Sequence, residues 1–187
     1  MNFLKFLNLN RYEFYPPVPD CIDLRNRLPR TNLKKLIALN VGVGSGNSGL
    51  ARQLPFIKFK RLDCIDVHQP YLDNATARTW AAKQANFIYA DVRNFDTSIY
   101  DLVLMFDVLE HLPRGDSLEV MRKIKCKQII FLPLEKEFRA NIYGAESQDH
   151  LSLWTEEDFK FYGYKTEVLP NFHKEDNRIF DALWALK

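Results

Sequence analysis

The chain has 187 residues, enough for one domain with a sizeable core and short for two. Its 47% hydrophobic and 27% charged residues are the mix of a folded chain, which excludes wholesale disorder. A formal net charge of +2 excludes a charge-driven commitment of the whole chain to nucleic acid or an anionic membrane, and no dedicated nucleic-acid-binding feature is visible.

Residues 1–32 read as an N-terminal arm distinct from the rest. A short helix is expected over Phe3–Leu9, then an extended connector, because YPPVP at 15–19 and Pro29 deny it long regular structure. Lys5, Asn8, Asn10 and Arg11 break up the apolar residues there, so the segment lacks the continuous core of a secretory signal. Its aromatics (Phe3, Phe6, Tyr12, Phe14, Tyr15) would serve either as a lid over a bound ligand or as packing on a sheet edge.

From residue 33 to 187 the pattern alternates. Leu36–Val41 is a short apolar run ending in glycines, and Ser48–Leu54 reads as a helix closed by Pro55. Leu62–Val67 is a second run, followed by a helical pattern over Pro70–Gln84. Asn86–Ala90, Tyr100–Phe106 and Gln128–Leu132 are the third, fourth and fifth strand candidates, with a helix over Ser117–Ile124 before the last. Strands that are apolar without alternation are buried on both faces. Taken in turn with helices, they predict an α/β domain: a doubly wound, mostly parallel sheet with helices on both faces. Toward the end, WTEEDFKFYGY forms a helix capped by Thr155 and stopped at Gly163, and YKTEVL with RIFDALWAL closes the chain as a hairpin. Trp80, Trp154 and Trp184 read as packing residues, and Lys58, Lys60 and Arg61 as solvated surface. The longest apolar runs fall far short of the ~20 residues that span a bilayer, so no membrane partner is expected. The cysteines, Cys21, Cys64 and Cys126, are scattered and odd in number, which argues against a disulfide framework or thiolate metal cluster. A reducing compartment, and hence a cytoplasmic protein, is the expectation.

The sharpest feature is LNVGVGSGNSG at 39–49, where Gly42, Gly44 and Gly46 follow a strand directly and precede a helix. Glycines serve where the backbone turns tightly and a ligand lies against it. Gly44, Gly46 and Gly49 also satisfy the dinucleotide pattern, which keeps a nicotinamide-dependent oxidoreductase open. Asp66 ends the second strand, where a carboxylate can accept hydrogen bonds from ribose hydroxyls. Asp91 and Asp107 end the third and fourth strands and point to the same crevice outside the carboxyl ends of the sheet. The plain alternative is that each acid is a turn or cap residue.

LNVGVGSGNSG, CIDVHQPYLDNA, FIYADVRNFD and YDLVLMFDVLEHLP, in that order, resemble the successive motifs of class I S-adenosylmethionine-dependent methyltransferases, and the resemblance runs from about Leu36 to the end. It implies a seven-stranded sheet whose last strand is antiparallel, and methyl transfer to oxygen or nitrogen; the near-neutral charge leans toward a small-molecule acceptor. It further implies that Gly42, Gly44 and Gly46 lie along the methionine part of the cofactor and that Asp66 binds the ribose. Val67 would pack on the adenine, Asp91 and Val92 would sit at its amino edge, and Phe106 and Asp107 would line the mouth. Asn40 departs from the family, which usually has an acid there to hold the cofactor's ammonium group. It keeps the hydrogen-bonding oxygen but loses the charge, which implies weaker cofactor binding or an ammonium group held elsewhere. Although it is the feature that would support a non-catalytic binding module, it does not by itself make the chain one.

Asp107, Glu110 and His111 stand at i, i+3 and i+4 and would share a face if a helix begins there, and His150 follows the fifth strand onto the same crevice. Two carboxylates and two histidines can bind a divalent metal ion, and the set resembles that of metal-assisted O-methyltransferases acting on small-RNA 3′ ends or in ubiquinone biosynthesis. The same run also resembles metal-free small-molecule methyltransferases. In that reading His111 and His150 line the pocket or act as general base, or the residues are structural.

Overall fold

Five short, almost wholly apolar segments supply the centre of the protein, a computed structural model described over residues 24–29, 31–44, 50, 54, 57–77, 85–140, 148–175 and 178–187. They are β1 (Ile37–Val41), β2 (Arg61–Asp66), β3 (Asn86–Tyr89), β4 (Leu102–Phe106) and β5 (Lys127–Leu134), which run parallel to one another. Two longer strands, β6 (Lys165–Glu175) and β7 (Arg178–Leu186), complete a seven-stranded sheet in the order β3-β2-β1-β4-β5-β7-β6. β7 runs antiparallel to both β5 and β6, so the closing hairpin is present and its last strand is inserted between its partner and the parallel set.

Successive strand residues fall alternately into two apolar clusters. Ala38, Leu62, Cys64, Leu102, Leu104 and Phe106 belong to one, with Leu24 of α1 (Leu24–Arg27) and Leu72 of α2 (Gln69–Ala77). Leu39, Val41, Ile65, Val103 and Met105 belong to the other, with Val120 and Met121 of α3 (Arg114–Lys123) and Phe159 of α4 (Glu156–Phe161). Burial on both sides explains why β4 is apolar at every position and β1 at all but Asn40. Trp154 and Trp184 are buried as expected, whereas Cys64 is buried and Cys126 only half-buried. Lys58, Lys60 and Arg61 are exposed, and Arg61 pairs with the buried Asp63. No helix among the described residues is long and apolar enough to cross a membrane.

Several boundaries differ from the expectation for physical reasons. α3 begins at Arg114 rather than Ser117, directly after Pro113, whose fixed φ of −52° suits the entry to a helix. α4 carries the anticipated cap in full: Thr155 Oγ1 accepts from the Asp158 N–H, and Asp158 accepts from the Thr155 N–H. β6 continues past Pro170, because it lies at the sheet edge, where a missing N–H is tolerated. Asn171 adopts φ +53° within an irregularity between Leu169 and His173, and Asp181 accepts its N–H. The stretch from Asp107 is not an α-helix. Asp107 stands at φ +53° and only Leu109–His111 form a single 3₁₀ turn. The arm over 1–23, Gly46, Gly49, the greater part of the Ser48–Leu54 helix, and Trp80 with the end of the Pro70–Gln84 helix lie outside the described residues.

Candidate active site

Strand order reverses around β1, which is flanked by β2 and β4, so the crevice at their carboxyl ends is where a ligand fits this kind of sheet. β1 runs out into Gly42 and Gly44, both in the left-handed region at φ +76° and +59°. The Gly42 N–H donates to Ile65 O at 2.9 Å, which ties the start of the loop to β2. A Cβ at Gly42 would come within 2.7 Å of Val108 Cγ2, so glycine is required there by close approach as well as by φ.

Asp66, at the end of β2, turns its carboxylate toward this loop. Oδ2 accepts the Val43 and Gly44 N–H groups at 2.8 and 3.1 Å, and Oδ1 accepts the His68 N–H at 2.8 Å. A carboxylate has about four acceptor positions, so three amides leave it room for another donor. Asn40 is buried in the strand before the loop. Its Nδ2 donates to Gly42 O at 3.3 Å, while Oδ1 has no hydrogen-bond partner among the described residues. Its cross-strand neighbour Cys64 has a thiol that burial pushes up to about 12, so it stays protonated there. Val67 is 49% exposed at the lip of the crevice, whereas Val92 is buried in the second cluster. Asp91 accepts from Arg93 three times, from N–H, Nε and Nη2 at 2.8, 2.8 and 2.6 Å, and this guanidinium holds its carboxyl below the usual range. Arg93 also reaches Asp116 at 3.0 Å.

Past β4 the chain builds a second, more buried constellation. Phe106 is buried and stacks on Trp184 at 6.1 Å, and the Asp107 N–H donates to Phe131 O at 2.8 Å. Glu110, His111 and His150 each offer a ligand-capable atom, and these lie within 4.8 Å of one another; Asp107 is outside that group. The loops that carry them are joined through the backbone. Leu151 and Ser152 donate N–H groups to Glu110 O at 2.6 and 3.0 Å, and Ser152 Oγ donates to Leu109 O at 2.9 Å. His111 Nδ1 lies 3.2 Å from Asp149 O, and because a carbonyl only accepts, Nδ1 is the donor. The His111 and His150 rings meet edge to face at 4.8 Å. His150 Nδ1 in turn bonds Glu135, whose other oxygen accepts from Arg139 Nη1 at 3.0 Å.

The electrostatics follow from burial. Glu110 is 2% exposed and its carboxylate oxygens have no hydrogen-bond partner among the described residues. Desolvation first, and then nearby Asp107, raise its pKa well above the usual carboxylate value. Desolvation and the adjacent His150 push His111 down to about 4, so this imidazole is neutral near pH 7. Burial also works to raise Glu135, but His150 and Arg139 outweigh it and hold the group below its ordinary value. Glu135 and Arg139 were not among the residues expected at the site. A signal was available: Glu135 follows β5 as directly as Asp107 follows β4.

A family model described as a methyltransferase domain matches residues 39–126, the segment from the glycine loop through β4 and α3. No curated protein sequence is a significant match. Among solved structures, a putative methyltransferase from Bacillus halodurans C-125 is 15% identical with a TM-score of 0.59, covering 89% of this chain and 97% of that one. Magnesium protoporphyrin IX methyltransferase from Synechocystis PCC 6803, with bound SAH, is 16% identical with a TM-score of 0.56, over 83% of this chain and 76% of that one. The methyltransferase domain of bacterial CtHen1 is 18% identical with a TM-score of 0.52, over 82% and 89%. At these identities the likeness is one of fold. Strand order and these likenesses give the chain the fold of solved Rossmann-like methyltransferases, and its segment 39–126 matches the methyltransferase-domain model.

Proposed function

We propose that the protein transfers the methyl group of S-adenosylmethionine to an oxygen or nitrogen of a small-molecule acceptor. The observation that carries this is the methyltransferase-domain match over 39–126, because that segment contains the glycine loop and Asp66. The cofactor fits the residues present. Asn40 Oδ1, buried without a partner, suits an ammonium donor, and the unused capacity of Asp66 suits a ribose hydroxyl. Gly42, Gly44 and Gly46 would border the methionine part, exposed Val67 would cover the adenine, and Asp91 with the Val92 backbone would flank its edge. Asp91 is already engaged by Arg93, so it would share its carboxylate.

When bound, the cofactor supplies an electrophilic methyl group. The chain's part is then to align the nucleophile, exclude water and take its proton. His111 or His150 would take that proton. A second reading, that Glu110, His111 and His150 hold a divalent cation, is favoured by the 4.8 Å spread of their donor atoms.

Titration calorimetry of the full chain with S-adenosylmethionine, S-adenosylhomocysteine and NAD is the test. The first two are expected to bind and NAD is not; binding of NAD alone overturns the proposal in favour of an oxidoreductase. Binding of S-adenosylmethionine with no transfer to any hydroxyl or amine tried would leave a binding module. A parallel titration with Mn²⁺ and Zn²⁺ separates the cation reading, which fails if neither binds.

A further inference from the structure

We infer that Glu135 is a positioning residue of the acceptor site: by accepting the hydrogen bond of His150 Nδ1–H it fixes the tautomer in which the Nε2 lone pair of that ring is left to receive the proton of the hydroxyl or amine being methylated. This rests on the methyl-transfer reading above.

The tautomer follows from bonding. Glu135 divides its two oxygens, Oε1 to Arg139 and Oε2 to His150. A carboxylate accepts and cannot donate, so His150 Nδ1 carries the hydrogen and Nε2 carries the lone pair in the neutral ring. An imidazole without such a partner favours the opposite form in water, with hydrogen on Nε2, and in that form Nε2 could accept no proton. The Glu135 and His150 side chains are 7% and 8% exposed, so water does not compete freely for either. The ring's anchor is equally constrained: His150 donates its own N–H to Arg139 O at 2.7 Å, and the next two residues donate to Glu110 O. Arg139 therefore holds Glu135 through its side chain and His150 through its main chain. Of the two histidines, His150 is the one backed by a carboxylate; His111 is backed by the Asp149 carbonyl.

The step balances. The acceptor's oxygen or nitrogen lone pair forms the bond to the methyl carbon, and the sulfur–methyl bonding pair returns to sulfur, which becomes a neutral thioether. The acceptor's proton passes to His150 Nε2, and the Glu135 carboxylate faces the resulting imidazolium through Nδ1.

The experiment is NMR of the imidazole nitrogens in the histidine-labelled full chain, recorded where the rings are neutral. The chain has only 4 histidines, and His150→Gln identifies the signal. The wild type is expected to show His150 protonated on Nδ1. Glu135→Gln, whose side-chain carbonyl still accepts, should retain that form, and Glu135→Leu should move the hydrogen to Nε2. His150 protonated on Nε2 in the wild type, or an unchanged pattern in Glu135→Leu, overturns the inference. Should Glu135→Leu fail to fold, the wild-type and Glu135→Gln spectra still decide. S-adenosylmethionine calorimetry on the same samples keeps the two readings apart. A wild type that does not bind it defeats the methyl-transfer reading, whatever the tautomer.

Discussion

Glu110 and His111 are adjacent in sequence and displaced by burial in opposite senses. The Glu110 carboxyl is raised from 4.5, so the folded chain binds a proton that the unfolded chain has lost, and stability falls as pH rises from 4.5 toward the folded value. His111 is lowered from 6.5 to about 4, so the folded chain lacks a proton that the unfolded chain holds, and stability falls as pH drops from 6.5 toward 4. As pH rises from 4.5 the two effects oppose each other, Glu110 lowering stability while His111 raises it until 6.5. Glu110→Gln should therefore gain stability relative to the wild type progressively as pH rises above 4.5. Urea unfolding of both proteins across a pH series reads this directly, and a gap between them that does not change with pH contradicts it.

Other single residues show what sequence could and could not reveal. Asp66 was legible as an acid at a strand end beside glycines, but its three backbone N–H partners were not, because the turn that brings Val43, Gly44 and His68 around it exists only after folding. Glu135 was missed because in FLPLEKEFR it looks like any charged residue after a strand. Its meaning comes from His150, fifteen residues on, which the Arg139 bridge folds back against it.

At the level of elements, the loop after β1 and the loop after β4 touch through Gly42 and Val108. Gly42→Ala meets two obstacles, a left-handed φ and the Val108 methyl, whereas Gly163→Ala, at φ +80°, meets open space. Both should lose about 1–3 kcal/mol of stability from backbone strain. Only Gly42→Ala should weaken S-adenosylmethionine binding as well, by about tenfold or more on calorimetry, since one pKa-sized increment of about 1.4 kcal/mol at a contact is tenfold in affinity. Equal affinities for the two variants would show that this loop is not the cofactor's. The strands were legible because burial on both faces writes a continuous apolar run; their ends were not, since β5 extends to Leu134 only because β7 is there to pair with it. The shared helical face on which Asp107, Glu110 and His111 would have met is absent, because Asp107 stands in left-handed backbone.

Over the whole molecule, the inserted β7 joins the parallel set to the edge strand, and Trp184 is its main anchor. It is buried, stacks on Phe106 of β4 and meets Phe131 of β5 at 6.3 Å. Trp184→Ala should lower stability by about 3–5 kcal/mol in urea unfolding, as truncation of a large core aromatic does. A loss under 1 kcal/mol would mean that the hairpin is held elsewhere. The alternation of strands and helices, the closing hairpin and the motif order all carry signals within a few dozen residues, which is why the architecture could be read from the chain. Which groups converge at the far end of β4 and β5 depends on contacts spanning some forty positions, such as Ser152 with Leu109.

One of those long contacts bears on how such a protein can change over generations. The segments around Glu110 and His150 are sewn together by the Leu151 and Ser152 amides on Glu110 O and by the Ser152 hydroxyl on Leu109 O. The side chains of Phe138 and Leu151, which flank the bridge between Arg139 and His150, are 67% and 49% exposed, and Leu151 joins the stitching only through its backbone N–H. A lineage could therefore exchange both side chains for others while the frame beneath them stays in place.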